Sequence, residues 1–170
     1  MKNNFKIRKT GQNVFTKILY RIFILACIVL TAYYISTNWY QLMLIQGESM
    51  SPAYHNMQLV ILDRHSKDYD YNDVIAFECD GLDAVLVKRV AACPGDTVVF
   101  DDGTLYVNGK ISEVFMAEGQ FEYAGEADTM IHLEEDQYFV IGDNVAESKD
   151  SRYTEVGCVN KMDVLGKLED

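Results

Sequence analysis

Proline is nearly missing from this chain: its 170 residues include only two, beside 11 glycines. So few breakers exclude a low-complexity or proline-rich disordered chain. The 49% hydrophobic content is enough to fill the core of one domain with small extras. Histidine is scarce as well, with three residues, His55, His65 and His132, none of them inside a recognisable motif. That argues against a Ser-His-Asp triad. Of the four cysteines, Cys27 lies in an apolar run, and Cys79, Cys93 and Cys158 form an odd remainder. They can close at most one bridge, which excludes a disulfide framework. Their spacing, with no histidine clustered near them, gives no zinc pattern. No metal or other cofactor is expected.

Negative charge is absent from the first part of the chain. No Asp or Glu precedes Glu48, whereas Lys2, Lys6, Arg8, Lys9, Lys17 and Arg21 are six of the 15 basic residues. From Glu48 onward the nine remaining basic residues face all 26 acidic ones, a net of −17. Such a domain repels nucleic acid, whose binding rests on neutralising phosphates. The basic segment has a better explanation in the apolar run beside it, Ile18 to Ser36, uncharged from Ile22 to Ile35. A helix of about 20 residues crosses a bilayer. Lys17 and Arg21 can reach the headgroups on one side, and Tyr33, Tyr34, Trp39 and Tyr40 supply an aromatic belt on the other. Residues 1–17 then form a basic cytoplasmic arm, 18–36 a single transmembrane anchor and 37–170 an extracytoplasmic domain, since the positive flank stays inside. A cleaved signal peptide is the rival reading. The segment Ala32-Tyr33-Tyr34-Ile35-Ser36-Thr37 offers no good small-x-small cleavage site for it.

Beyond the anchor the hydrophobic period changes from helical to extended. Strands are expected at Gln58–Asp63, Asp73–Phe77, Asp83–Ala92, Asp96–Asp101, Thr104–Val107, Gln137–Ile141 and Met162–Leu168. Asp102-Gly103 and Asn108-Gly109 are the turn signals. Trp39–Ile45 is either a first strand or an apolar surface that dips into the membrane. Glu113–Asp136 is an acidic surface excursion or a set of short hairpins. The fold class is therefore mainly β, an antiparallel, barrel-like sheet domain behind one N-terminal helix.

Three groups of residues can carry chemistry. Ser49 sits in Gln46-Gly47-Glu48-Ser49-Met50-Ser51-Pro52, where Gly47 allows close backbone approach and Pro52 fixes the chain after the hydroxyl. A serine nucleophile needs a base. Lys88 lies inside the apolar strand Val85-Leu86-Val87-Lys88-Arg89-Val90, so it and Arg89 point to opposite faces. A lysine turned inward loses its proton more readily. One turned outward merely protects a sheet edge, and Lys88 alone does not decide between the two. The third group is the polar loop Gly142-Asp143-Asn144 through Ser148-Lys149-Asp150-Ser151-Arg152. There Asp150 and Arg152 are close enough to pair, and Ser148 is a neutral hydroxyl able to hold a lysine.

In this order, together with Lys88-Arg89-Val90-Ala91-Ala92-Cys93-Pro94-Gly95-Asp96, these segments resemble the bacterial type I signal peptidases, the Ser-Lys leader peptidases, in their shorter Gram-positive form. The resemblance runs from the anchor to Gly166. It implies a serine endopeptidase in which Ser49 attacks the scissile carbonyl and Lys88 is the general base. It also implies that Ser148 orients Lys88, that Asp150 and Arg152 form a supporting ion pair, and that Gly142 and Asp143 shape the same loop. Leu44, Ile45, Leu86 and Val87 would flank an extended substrate in shallow pockets for small side chains at the first and third residues before the cut. The implied partners are signal peptides of exported preproteins, membrane lipid and the secretion translocon. The implied place is the cell membrane, with the N-terminus cytoplasmic. Two departures stand out. Ala53 and Tyr54 replace the usual Thr and Leu. Gly47 replaces a serine found in some members as an oxyanion donor, which leaves backbone N–H groups of Ser49 and Gly47 for that task. A cytosolic self-cleaving repressor with the same Ser-Lys chemistry is disfavoured by the anchor and the −17 domain. A peptidase dedicated to one secretion system is not separable by sequence. An inactive assembly protein is disfavoured by the intact motifs.

Overall fold

The structure is a computed structural model, and it describes residues 14–112, 125 and 129–169. Most of the expected basic arm and most of the Glu113–Asp136 excursion lie outside the described residues.

The chain divides into two compact units, residues 1–37 and 38–170. Helix α1 spans Val14–Trp39, beginning before the expected Ile18 and ending after Ser36. None of its residues is buried, and it is long and apolar enough to cross a membrane. A helix that exposes apolar side chains all round has no polar face to give to water.

Among the described residues, the second unit contains eleven strands: β1 (Tyr40–Leu44), β2 (Leu59–Asp63), β3 (Val74–Cys79), β4 (Ala84–Ala92), β5 (Thr97–Asp101), β6 (Thr104–Val107), β7 (Lys110–Ile111), β8 (Ile131–His132), β9 (Gln137–Ile141), β10 (Val159–Asn160) and β11 (Val164–Leu168). They form a seven-stranded sheet in the order β1-β2-β11-β3-β4-β9-β10 and a four-stranded sheet in the order β7-β6-β5-β8. Every strand pair is antiparallel. The mainly β reading of the sequence holds, and Trp39–Ile45 resolves into the end of α1 followed by an edge strand, β1. The two turn signals sit where left-handed backbone is needed. Asp102 and Gly103 have φ of 46° and 68°, Asn108 and Gly109 have 53° and 72°, and each pair closes a two-residue hairpin.

Three apolar clusters share the long strands between them. In β9, Tyr138 and Val140 enter one cluster while Phe139 and Ile141 enter another. In β3, Ile75 and Phe77 join the cluster of Tyr138, and Val74 and Ala76 join a third, with Ile45, Met50, Tyr54 and Leu62. Period-two alternation thus feeds a core on each face, which is why these strands read as unbroken apolar runs. Each fully buried Phe, Ile or Leu contributes about 1.5–3 kcal/mol.

The β1–β2 connection carries the serine motif, and its base is tied by Ile45 N–H to Gln58 O at 2.9 Å and Met57 N–H to Ile45 O at 2.8 Å. Met57 holds that turn at φ 64° with 66% of its surface exposed. A side chain in the left-handed region costs roughly 1 kcal/mol, and a side chain this exposed returns little packing. Met57→Gly is therefore expected to stabilise the domain by roughly 0.5–1 kcal/mol, read as a higher urea midpoint at unchanged slope.

Candidate active site

Ser49 begins a short turn in which Tyr54 N–H donates to Met50 O at 2.9 Å. Met50 and Tyr54 are both buried in the third cluster and so pin the residues that follow the hydroxyl. The unusual Tyr54 is accommodated as a core side chain. Upstream, Gly47 sits at φ 91°, and its N–H donates to Asn56 Oδ1 at 3.0 Å. In this arrangement the Gly47 N–H is engaged.

Lys88 reaches Ser49 from β4. It is 3% exposed, its Nζ lies 2.8 Å from Ser49 Oγ, and it donates to Val87 O at 3.0 Å. Burial pushes its pKa down from 10.5 to about 8, against the opposing pull of Asp150 and Asp143. Desolvation wins because an ammonium that leaves water loses more than distant carboxylates return. Holding the proton at that position costs roughly 3 kcal/mol relative to water. A neutral Nζ beside a hydroxyl at this distance can accept its proton.

The 142–152 loop closes over the pair. Gly142 has no room for a Cβ, which would collide with Ser148 Oγ and the Ser49 carbonyl. Its N–H donates to Asp150 Oδ2 at 3.1 Å, and Asn144 N–H donates to Ser49 O at 3.0 Å. Asp150 and Arg152 are 0% and 2% exposed and pair through two bonds, Nε to Oδ1 at 2.7 Å and Nη2 to Oδ2 at 2.9 Å. Arg152 Nη2 also donates to the Val145 and Ser148 carbonyls, at 2.9 and 3.3 Å. Ser148 is 2% exposed, and its Oγ has no hydrogen-bond partner among the described residues, so it is near the dyad without bonding Lys88. Asp143 pairs with Arg89, Nε to Oδ1 at 2.7 Å and Nη2 to Oδ2 at 2.6 Å. Lys88 and Arg89 therefore do leave the strand on opposite sides, one to a serine and the other to a carboxylate.

A groove of about 450 Å³ opens beside Ser49 and Lys88. Leu44, Ile45, Leu86 and Val87 all line it, but not equally. Ile45 and Val87 belong to the third cluster on the groove side, whereas Leu86 packs into the second cluster and Leu44 is 40% exposed. Neighbouring residues of a strand cannot serve one face together. Sequence reasoning missed the Arg89–Asp143 pair, Asn56, Asn144 and the groove residues Met43 and Leu165. The Lys-Arg dipeptide in an apolar strand was the available signal for the first, because a half-buried arginine needs an anion. None of the three histidines lines the groove; His65 stacks on Trp39 at 4.6 Å between ring centroids, and His132 lies 3.0 Å from Thr97 Oγ1. None of the four cysteines forms a disulfide among the described residues.

A β-sheet groove with a serine hydroxyl against a buried lysine has the makings of a serine peptidase. The sequence profile described as signal peptidase, peptidase S26, matches residues 16–169. Signal peptidase I P of Bacillus subtilis subsp. natto is 30% identical over 152 residues, covering 83% of this chain and 81% of that protein. Signal peptidase I of Bacillus licheniformis is 32% identical over 133 residues, covering 72% and 71%. The crystal structure of a signal peptidase I from Enterococcus faecalis V583 overlaps 60% of this chain and 97% of that one, at 29% identity and a TM-score of 0.49. The chain belongs to the signal peptidase family, peptidase S26, and is a serine peptidase.

Asp150→Ala is expected to destabilise the second unit by about 3–5 kcal/mol, because it strands the Arg152 guanidinium in the interior. Chemical denaturation of the detergent-solubilised protein measures it, and a loss below 1 kcal/mol would mean that the pair does not anchor the loop.

Proposed function

We propose that the protein is a signal peptidase I that removes N-terminal signal peptides from exported preproteins after small residues of the Ala-x-Ala type, through a Ser49–Lys88 dyad. The observation that carries this reading is the 2.8 Å approach of a buried Lys88 Nζ to Ser49 Oγ. Neutral Lys88 takes the Ser49 proton as Oγ attacks the scissile carbonyl. Collapse of the tetrahedral intermediate breaks the C–N bond, and the leaving amine collects the proton from Lys88. The signal peptide remains as an ester on Ser49. Lys88 then deprotonates the water that hydrolyses it. With the Gly47 N–H bonded to Asn56, the Ser49 N–H is the backbone donor available to the oxyanion. The pair of Asp150 and Arg152 acts by positioning the loop rather than by chemistry, and Gly142, Asp143 and Ser148 complete the wall around the dyad.

The substrate lies extended between β1 and the first half of β4. Among the described residues, residues 84–88 of β4 pair only with β3, because β9 joins the strand at Arg89. Among the described residues, β1 pairs only with β2. Two unoccupied strand edges across one groove favour a peptide held by main-chain hydrogen bonds. The outward face of the β1–β2 ribbon also supports lipid as a neighbour: Tyr40, Leu42, Leu44, Leu59 and Ile61 are all at least 40% exposed. The basic residues before Val14 and the acidic ones after Glu48 favour an N-terminus in the cytoplasm and a catalytic unit outside.

Two outcomes are expected. In detergent, with a preprotein bearing Ala-x-Ala, Ser49→Ala and Lys88→Ala should each lower cleavage by at least about three orders of magnitude, and normal processing by either would exclude the dyad. Because the neutral amine is the active form, kcat/KM should rise about tenfold per pH unit below pH 8 and level off above it. A rate independent of pH from 5 to 9 would rule out a lysine base.

A further inference from the structure

The strand order places β2, β11 and β3 between β1 and β4. With neighbouring strands about 4.8 Å apart, β1 and β4 would lie about 19 Å from each other in a flat sheet. Gln41, residues 43–46 and residues 84–88 nevertheless line one groove, and a single residue of the middle strand, Leu165 of β11, lines it with them. The sheet is therefore curled, and β11 forms the back of the groove.

A break in register puts Leu165 there. Val164 pairs with Phe77 and Gly166 with Ala76, so β11 has one residue more than β3 between these pairs, and the extra residue is Leu165. The regular position on the groove side belongs to Gly166, paired with Ala76 of the third cluster. Gly166 cannot carry a side chain, because a Cβ would collide with the Asp63 carbonyl. The bulge re-aims its neighbour into the space left open, as bulges commonly do beside functional sites. Leu165 accordingly packs in the third cluster with Met43 of β1 and Val87 of β4, both of which also line the groove.

We infer that Leu165 is a specificity-determining residue: it is the floor of the substrate groove and limits the size of the substrate side chain that points inward. This rests on the peptidase reading above. A substrate strand between β1 and β4 turns alternate side chains toward β11, and a leucine at that depth leaves room for alanine and collides with leucine or phenylalanine. The wall residues Met43 and Val87 set the width of the slot, and Leu165 sets its depth.

The test uses the full chain in detergent and preproteins carrying Ala, Leu or Phe at the first or the third residue before the cut. Leu165→Ala should raise kcat/KM for the Leu-bearing over the Ala-bearing substrate by about tenfold or more at one of the two positions, because one or two methylenes in an apolar pocket discriminate on that scale. Leu165→Phe should lower the same ratio, and Leu165→Met should leave it unchanged. The ratio does not depend on how much enzyme is folded, so loss of core packing cannot imitate the effect. An unchanged ratio in both Leu165→Ala and Leu165→Phe, with the unsubstituted protein cleaving Ala-x-Ala normally, overturns the inference alone. Failure of the unsubstituted protein to cleave any of the series overturns the reading beneath it.

Discussion

The arrangement around Ser49 depends on one ion pair that water does not reach. Asp150 and Arg152 are buried together, and every charge-bearing atom of the carboxylate is matched by an N–H. Such a pair gains little net stability over an apolar substitute. What it provides is geometry. One oxygen of Asp150 holds the Gly142 N–H, and Arg152 gathers the carbonyls of Val145 and Ser148. An eleven-residue loop with almost no apolar side chains is thereby folded onto a single buried point. Gly142 can then approach Ser49 so closely that no other residue type fits.

The same logic explains how the pKa of Lys88 is lowered among acids. Asp150 and Asp143 both lie near enough to favour the ammonium. Each, however, already has a guanidinium of its own, Arg152 for one and Arg89 for the other. A carboxylate in a bidentate pair is close to neutral from outside, so its field at Lys88 is weak and burial decides the outcome. The site is dense in charge yet behaves as an apolar one toward the amine.

Much of this was readable from local chemistry. Asp102-Gly103 and Asn108-Gly109 announce their hairpins because left-handed backbone is a property of two residues. Lys88 and Arg89 must diverge because strands alternate. The apolar helix needs no partner to be recognised. Features that need a distant partner were not legible. Arg89 and Asp143 are joined only once β4 and β9 pair. Leu165 reaches the groove through a bulge whose cause is the carbonyl of Asp63 on another strand. The engagement of Gly47 by Asn56 depends on the path of a loop, and the unbonded state of Ser148 Oγ depends on where Lys88 Nζ finally points.

The curl of the sheet has a consequence for life among other proteins. Unpaired strand edges such as those of β1 and of residues 84–88 are templates on which foreign chains can stack and aggregate. Here both edges border one concavity, a shape that suits a flat foreign sheet less well than a straight exposed edge would. Curvature thus turns an edge that would otherwise invite stacking into the wall of a groove.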